Sequence, residues 1–292
     1  MSSDTAEDYR GASAQAIAHH YDVGNDFYAL WLDRTLSYSC ALWQGDADTL
    51  QAAQERKLDF LATEACATGA GRVLDVGCGW GGLLRRLVER HSVRHVTGLT
   101  LSKAQAEYVS GWADDRYDVR VENWADYEPT VGYDAIISIG AFEHFASFGL
   151  PRQERIDAYR KFFTSCRQWL PPGGRMVLQT NVKGNNVAMD RRTVRDLLFI
   201  VDRIFPESEL PWPSEILEAS ERLFDVVSMR NDPSHYARTC QAWRDGLRSH
   251  SDQARELVGE QTTADYDRYL TAAADAFLNH HLGLVRITFQ RV

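Results

Sequence analysis

Four short apolar runs recur along the chain: "RVLDVG" from Arg72, "HVTGLTL" from His95, "YDAIISIG" from Tyr133 and "GRMVLQTN" from Gly174. Each has the length of a strand and is apolar at successive positions, the pattern of strands covered on both faces. Segments with helical spacing stand among them, such as "GGLLRRLVERH" and "RIDAYRKFFTSCRQWL". Strands alternating with helices predict an α/β domain with a parallel sheet between two helical layers. Near the end of the chain the period changes. In "LVRITFQ", Val285, Ile287 and Phe289 alternate with Arg286, Thr288 and Gln290, which predicts an antiparallel edge strand with one buried face.

Before that strand lies an insertion, residues 183–222, ahead of a further strand-like run, "FDVVSMR". Within it Val194, Leu197, Leu198, Val201, Ile204 and Phe205 fall at helical spacing and predict an amphipathic helix. Such a helix covers core or closes as a lid over an apolar substrate.

Composition narrows the function classes. A chain of 292 residues with 44% hydrophobic and 25% charged content suits one large core, read as a single domain over 1–292 with a cap. No apolar stretch approaches the roughly 20 residues that span a bilayer, and the polar start "MSSDTAEDY" has no leader pattern, so a soluble cytoplasmic protein without integral membrane association is expected. The five cysteines form no C-x-x-C pair, which speaks against a disulfide framework and a thiolate metal site. With 41 acidic against 32 basic side chains, the net charge of -9 disfavours nucleic acid as a partner. Arg191, Arg192 and Arg195 form a local basic exception. Oligomeric state is not legible, and a homo-oligomer fits as well as a monomer.

In "VLDVGCGWGGLL", Gly77, Gly79 and Gly82 make a G-x-G-x-x-G array between a strand and a helix, where a ligand can approach the backbone closely. A nicotinamide dinucleotide needs an acid closing the second strand for its ribose. Here "TGLTLSKAQ" offers Thr100 and Gln105 and no carboxylate, while an acid, Asp75, stands before the glycines. That arrangement resembles motif I of the class I S-adenosylmethionine (SAM) methyltransferases.

Further strings make the resemblance specific: "HHYDVGNDFYALWLDRTLSYSCALW" from His19, "LDVGCGWGG", "GLTLSKAQ", "SIGAFEHF", "IFPESELP" and "HYARTCQAW". Together, in this order, they resemble the cyclopropane-fatty-acid and mycolic-acid cyclopropane synthase family. The resemblance implies a class I methyltransferase fold: a seven-stranded, mostly parallel sheet with an antiparallel last strand, and a helical N-terminal segment (1–60) over cofactor and substrate. It also implies that Tyr38 and Ser39 meet the amino-acid end of SAM, that Gly77 and Gly79 form the loop, and that Thr100 and Gln105 hold the ribose. Trp124 lies along the adenine. Where relatives carry an acid after that Trp this chain has Ala125, so Asp126 is the expected reader of the adenine amino group.

The implied chemistry is attack by an alkene on the SAM methyl, leaving a carbocation that needs a dry site, aromatic faces and fixed negative charge. Glu143, just after the run "YDAIISIG", supplies that charge; the neighbouring His144 reads better as a supporting histidine. Family members use bound bicarbonate as the base that closes a cyclopropane ring. The matching cage here is Cys40 and Ile139 through their backbone, Glu143, Tyr236 and, where relatives have histidine, Gln179. Glutamine carries no positive charge, so the cage is altered and simple methylation rivals ring closure. The expected activity is methyl or methylene transfer from SAM to the double bond of an acyl chain, isoprenoid or polyketide-type metabolite. The alternative is an N- or small-molecule methyltransferase, with Glu143 and His144 binding an amine; a non-catalytic lipid-binding protein of this fold is the third reading.

Overall fold

The structure is a computed structural model that describes residues 23–292. His19 to Tyr21 and the rest of the first part of the N-terminal segment lie outside those residues. The short helix α1 (Asn25–Ala29) leads through an irregular stretch to α2 (Leu50–Glu64). Then β1 (Arg72–Val76), α3 (Gly82–His91), β2 (His95–Thr100), α4 (Lys103–Ser110), β3 (Tyr117–Val121) and β4 (Ala135–Ile139) follow. A 3-10 turn (Phe142–His144) and α5 (Arg152–Trp169) precede β5 (Arg175–Lys183). Next come α6 (Arg191–Arg203) and α7 (Pro213–Ser220), then β6 (Phe224–Asn231), α8 (Pro233–Ser249), α9 (Ser251–Leu278) and β7 (Leu282–Arg291).

The seven strands form one sheet in the order β3-β2-β1-β4-β5-β7-β6. β1 to β5 run parallel, and β7 runs antiparallel to both β5 and β6. The chain reverses its direction of travel across the sheet between β1 and β4, the crevice where open α/β sheets bind ligands at the carboxyl ends of their strands. This is the class I methyltransferase arrangement.

Two sequence expectations need correction. β7 is antiparallel as expected, but it lies inside the sheet and β6 takes the edge. Its polar face is therefore buried: Arg286 and Thr288 are each only 2% exposed. Thr288 Oγ1 donates to Glu64 of α2 at 2.7 Å, so the alternation that predicted a solvent face marks a polar interior contact. β3 is the other edge. Its exposed Arg120 pairs with Asp118, and its charged, half-exposed sequence hides it from a search for apolar runs.

The sheet is covered on one side by α5 and on the other by α2 and α3, which explains the double-sided burial of β1, β4 and β5. A third apolar cluster joins α1, α8 and α9, with Phe27, Tyr28, Trp31, Tyr236 and Trp243 at its centre. Among the described residues no helix is long and apolar enough to cross a membrane.

Candidate active site

β1 ends at Asp75 and Val76, and the glycine turn follows. The amides of Gly77 and Cys78 both donate to Leu99 O of β2 at 2.9 Å, which fixes the turn against the sheet. Gly77 has φ 86°, and a Cβ there would stand 2.5 Å from the Ala141 methyl, so the turn after β1 and the turn after β4 touch only because this residue has no side chain. Gly79, at φ 53°, faces open space instead. That space belongs to a cavity of about 140 Å³ walled by Tyr38, Ser39, Asp75, Gly77, Gly79, Thr100, Gln105, Trp124 and Ile139. Nine of the ten expected cofactor residues thus stand around one space.

The tenth does not. Asp126 is exposed and does not reach that wall; Glu122 and Asn123 line it beside Trp124. The turn after β3 carries Trp124 inward against Phe145 and Phe162, which leaves the residues that follow on the outside. Thr100 Oγ1 donates to Gln105 Oε1 at 2.7 Å, a buried pair that holds the glutamine amide in place at the cavity wall. Two buried charges share the cavity wall. Asp75 has its carboxyl pushed up to about 7 by burial. Its Oδ1 has no hydrogen-bond partner among the described residues. Lys57 of α2, which motif reasoning passed over, is 1% exposed, and burial pushes its ammonium down to about 8.

After β4, Gly140 turns the chain at φ 66° into the 3-10 turn that carries Glu143 and His144. Phe142 anchors this turn by stacking on Tyr159 of α5, ring centroids 4.5 Å apart. Glu143 is thereby held 5% exposed in the wall of a second cavity, about 420 Å³ in volume. Its Oε1 accepts the Asn181 amide at 2.7 Å, while Oε2 has no partner among the described residues. Burial raises the carboxyl to about 7. Most of the remaining wall is apolar and aromatic, with Leu197, Ile200, Val201 and Phe205 from α6 and its end, and Tyr236, Tyr269 and Phe277 from α8 and α9; the paired Lys183 and Glu209, and His281, are polar exceptions. Tyr236 stacks on Phe277 at 4.6 Å. α6 has no fully buried side chain; its Phe199 and Ile200 pack against the third apolar cluster while Leu197, Ile200 and Val201 line the cavity.

The two cavities share Tyr38, Gly140 and His144. His144 bonds Ser208 Oγ through Nδ1 at 2.9 Å, and burial lowers it to about 4, so it is a neutral imidazole at physiological pH.

Cys40 and Gln179 line neither cavity. The Gln179 Oε1 accepts from Arg286 Nε at 2.7 Å, and its Nε2 donates to Cys40 O at 3.3 Å. The Arg286 guanidinium donates also to Asp232 and to the carbonyls of Cys40 and Ala41. Burial holds the Cys40 thiol neutral, pushed up to about 11. Sequence reasoning placed Gln179 in an anion cage. The cause of the difference is Arg286, which draws the amide toward β7. Among the described residues no cluster of side chains suits a metal ion.

The sequence profile described as mycolic acid cyclopropane synthetase matches residues 9–287. The chain belongs to that family. Cyclopropane mycolic acid synthase 2 of Mycobacterium leprae is 34% identical over 94% of this chain and 92% of its own length. Hydroxymycolate synthase MmaA4 of Mycobacterium tuberculosis is 35% identical over 94% of this chain and 91% of its own. A solved mycolic acid cyclopropane synthase, CmaA1 complexed with SAH and CTAB, superposes with a TM-score of 0.88 at 33% identity, covering 96% of this chain and 99% of that one. The family members are thus matched along the sheet, the cap and the terminal helices together. Coclaurine N-methyltransferase, at 19% identity and a TM-score of 0.81, shares the fold.

Proposed function

We propose that this chain transfers a methyl group from SAM to the carbon–carbon double bond of an apolar substrate, and that the product keeps an added methyl and gains no cyclopropane ring. The observation that carries the reading is the pair of adjoining cavities: a polar one at the glycine turn and an apolar one with Glu143 buried in its wall. Family membership with enzymes named for cyclopropane and hydroxymycolate synthesis supports it.

The smaller cavity fits SAM. The unpartnered Asp75 oxygen suits an ammonium, and the open face at Gly79 leaves room for the methionine chain. Thr100 and Gln105 would hold the ribose, and Trp124 the adenine. When bound, SAM supplies an electrophilic methyl. The protein's part is to meet the positive charge that the alkene then develops on its neighbouring carbon. Glu143, ionised, opposes that charge in a site of low polarity, where a fixed carboxylate acts more strongly than in water. The faces of Tyr236, Phe277 and Tyr269 add cation–π attraction, and the apolar walls keep water from the cation.

Ring closure requires a base at the new methyl group. Gln179 is tied to Arg286 and Cys40 O, and His144 is held by Ser208, so the cage expected for bicarbonate has only Glu143 and Tyr236 in the substrate cavity. Glu143, with its unpartnered Oε2 in the cavity wall, takes the proton. A proton lost to it from the substrate carbon that carries the new methyl, next to the cation, restores a double bond and leaves the methyl on it. Mass does not separate this product from a cyclopropane, because both gain CH₂. Proton NMR of product made with methyl-labelled SAM does: the expected spectrum shows a methyl on a double bond and lacks the far-upfield cyclopropane signals. Upfield signals would refute the methyl product while leaving the SAM chemistry intact.

A further inference from the structure

Lys57 is the one lysine buried in the wall of the cofactor cavity, and the reading above gives it no role. It sits on α2, where Gln54, Lys57, Leu58 and Leu61 share the inward face at i, i+3, i+4 and i+7. Gln54 Nε2 donates to Ser37 O at 3.1 Å and to Ser39 O at 2.8 Å, fixing the backbone of the segment that carries Tyr38 and Ser39. One turn on, Lys57 Nζ donates to Ser39 Oγ at 3.0 Å. That is its only hydrogen bond among the described residues, although an ammonium has three to give.

Nearby Asp33 and Asp75 offset part of the burial electrostatically, but the remaining N–H groups are left for a ligand to complete. The geometry also fixes the direction of the serine. Lysine only donates, so Ser39 Oγ accepts and keeps its own proton to give to a group in the cavity. Across the same wall, Asp75 has a buried oxygen in want of a donor. The cavity end thus offers a cation with a hydroxyl donor on one side and an acceptor anion on the other, the complement of an amino acid zwitterion. Resting on the SAM reading, we infer that Lys57 is a positioning residue for the α-carboxylate of the cofactor, acting through the Ser39 hydroxyl and its own remaining N–H groups.

The test compares two ligands that share the adenosine and sulfur: S-adenosylhomocysteine, which carries the amino acid, and 5′-methylthioadenosine, which lacks it. By calorimetry, Lys57→Met is expected to weaken S-adenosylhomocysteine by about 10- to 100-fold, the scale of one lost charge-assisted hydrogen bond, with methylthioadenosine unchanged. Ser39→Ala is expected to cause a selective loss in the same direction, and the double variant to lose less than the two single losses multiplied. Equal weakening of both ligands, or none, would overturn the inference and leave Lys57 as a packing residue. Should Lys57→Met not fold, Ser39→Ala decides alone: unchanged S-adenosylhomocysteine affinity refutes the role. A wild-type protein that binds neither ligand would refute the SAM reading itself.

Discussion

At the scale of single residues, Glu143 illustrates how position changes the behaviour of an ordinary side chain. Its place after an apolar strand was legible as sequence, but its protonation behaviour follows from tertiary burial, which raises it to about 7. In the proposed reaction ionised Glu143 is the working form, so at saturating SAM kcat/KM for the apolar substrate is expected to rise with pH up to about 7 and then flatten. Glu143→Gln should lower turnover by about 10²-fold, abolish that limb and leave S-adenosylhomocysteine affinity unchanged. A variant with full activity and a lowered Tm would instead make Glu143 a structural residue. Gln179 shows the opposite case. Its identity was visible, yet its partner is 107 positions away, and no local pattern announces that Arg286 will turn the amide from the cavity.

At the scale of elements, α6 is the least determined by its own sequence. Asp190 caps it by accepting the Thr193 amide at 2.7 Å, and its apolar spacing is strong, so its existence was legible. Whether it covered core or a ligand was not, because both uses need the same periodicity. In the structure Val194 and Leu198 are exposed, Leu197 and Val201 line the larger cavity, and Phe199 packs on the apolar cluster, so both uses share one helix. Leu197→Asp is therefore expected to raise KM for the apolar substrate severalfold with little change in Tm or in S-adenosylhomocysteine affinity, read from steady-state kinetics and calorimetry. A large drop in Tm would show that α6 is core. Similarly, α2 carries Gln54 and Lys57 on its apolar face, and polar residues at inward positions were the signal by which both were discoverable.

At the scale of the whole molecule, Arg286 ties together parts of the chain that are distant in sequence: β7, Gln179 of β5, Asp232 before α8, and the carbonyls of Cys40 and Ala41. Its removal would leave Gln179 Oε1 and the Cys40 and Ala41 carbonyls without their donor, while half-buried Asp232 keeps its pair with Arg230. Arg286→Met is expected to cost about 2–4 kcal/mol in denaturant unfolding, the scale for leaving several buried acceptors without their donor. A loss below about 1 kcal/mol would mean that the network reorganises around the gap.

The sequence by itself determined what depends on local pattern: strands apolar on both faces, the glycine turn with Asp75 before it, Glu143 at the end of β4, and the family. These are legible because periodicity, turn chemistry and motif spacing act within a few residues. Only the tertiary structure decided that β6 takes the edge and β7 the interior, that Asp126 stays outside while Glu122 and Asn123 face the cofactor cavity, and that Lys57 lies beneath Ser39. Those outcomes hinge on which distant segments meet. A buried polar group is stable only with its partner, and that partner is chosen by the packing of the whole chain.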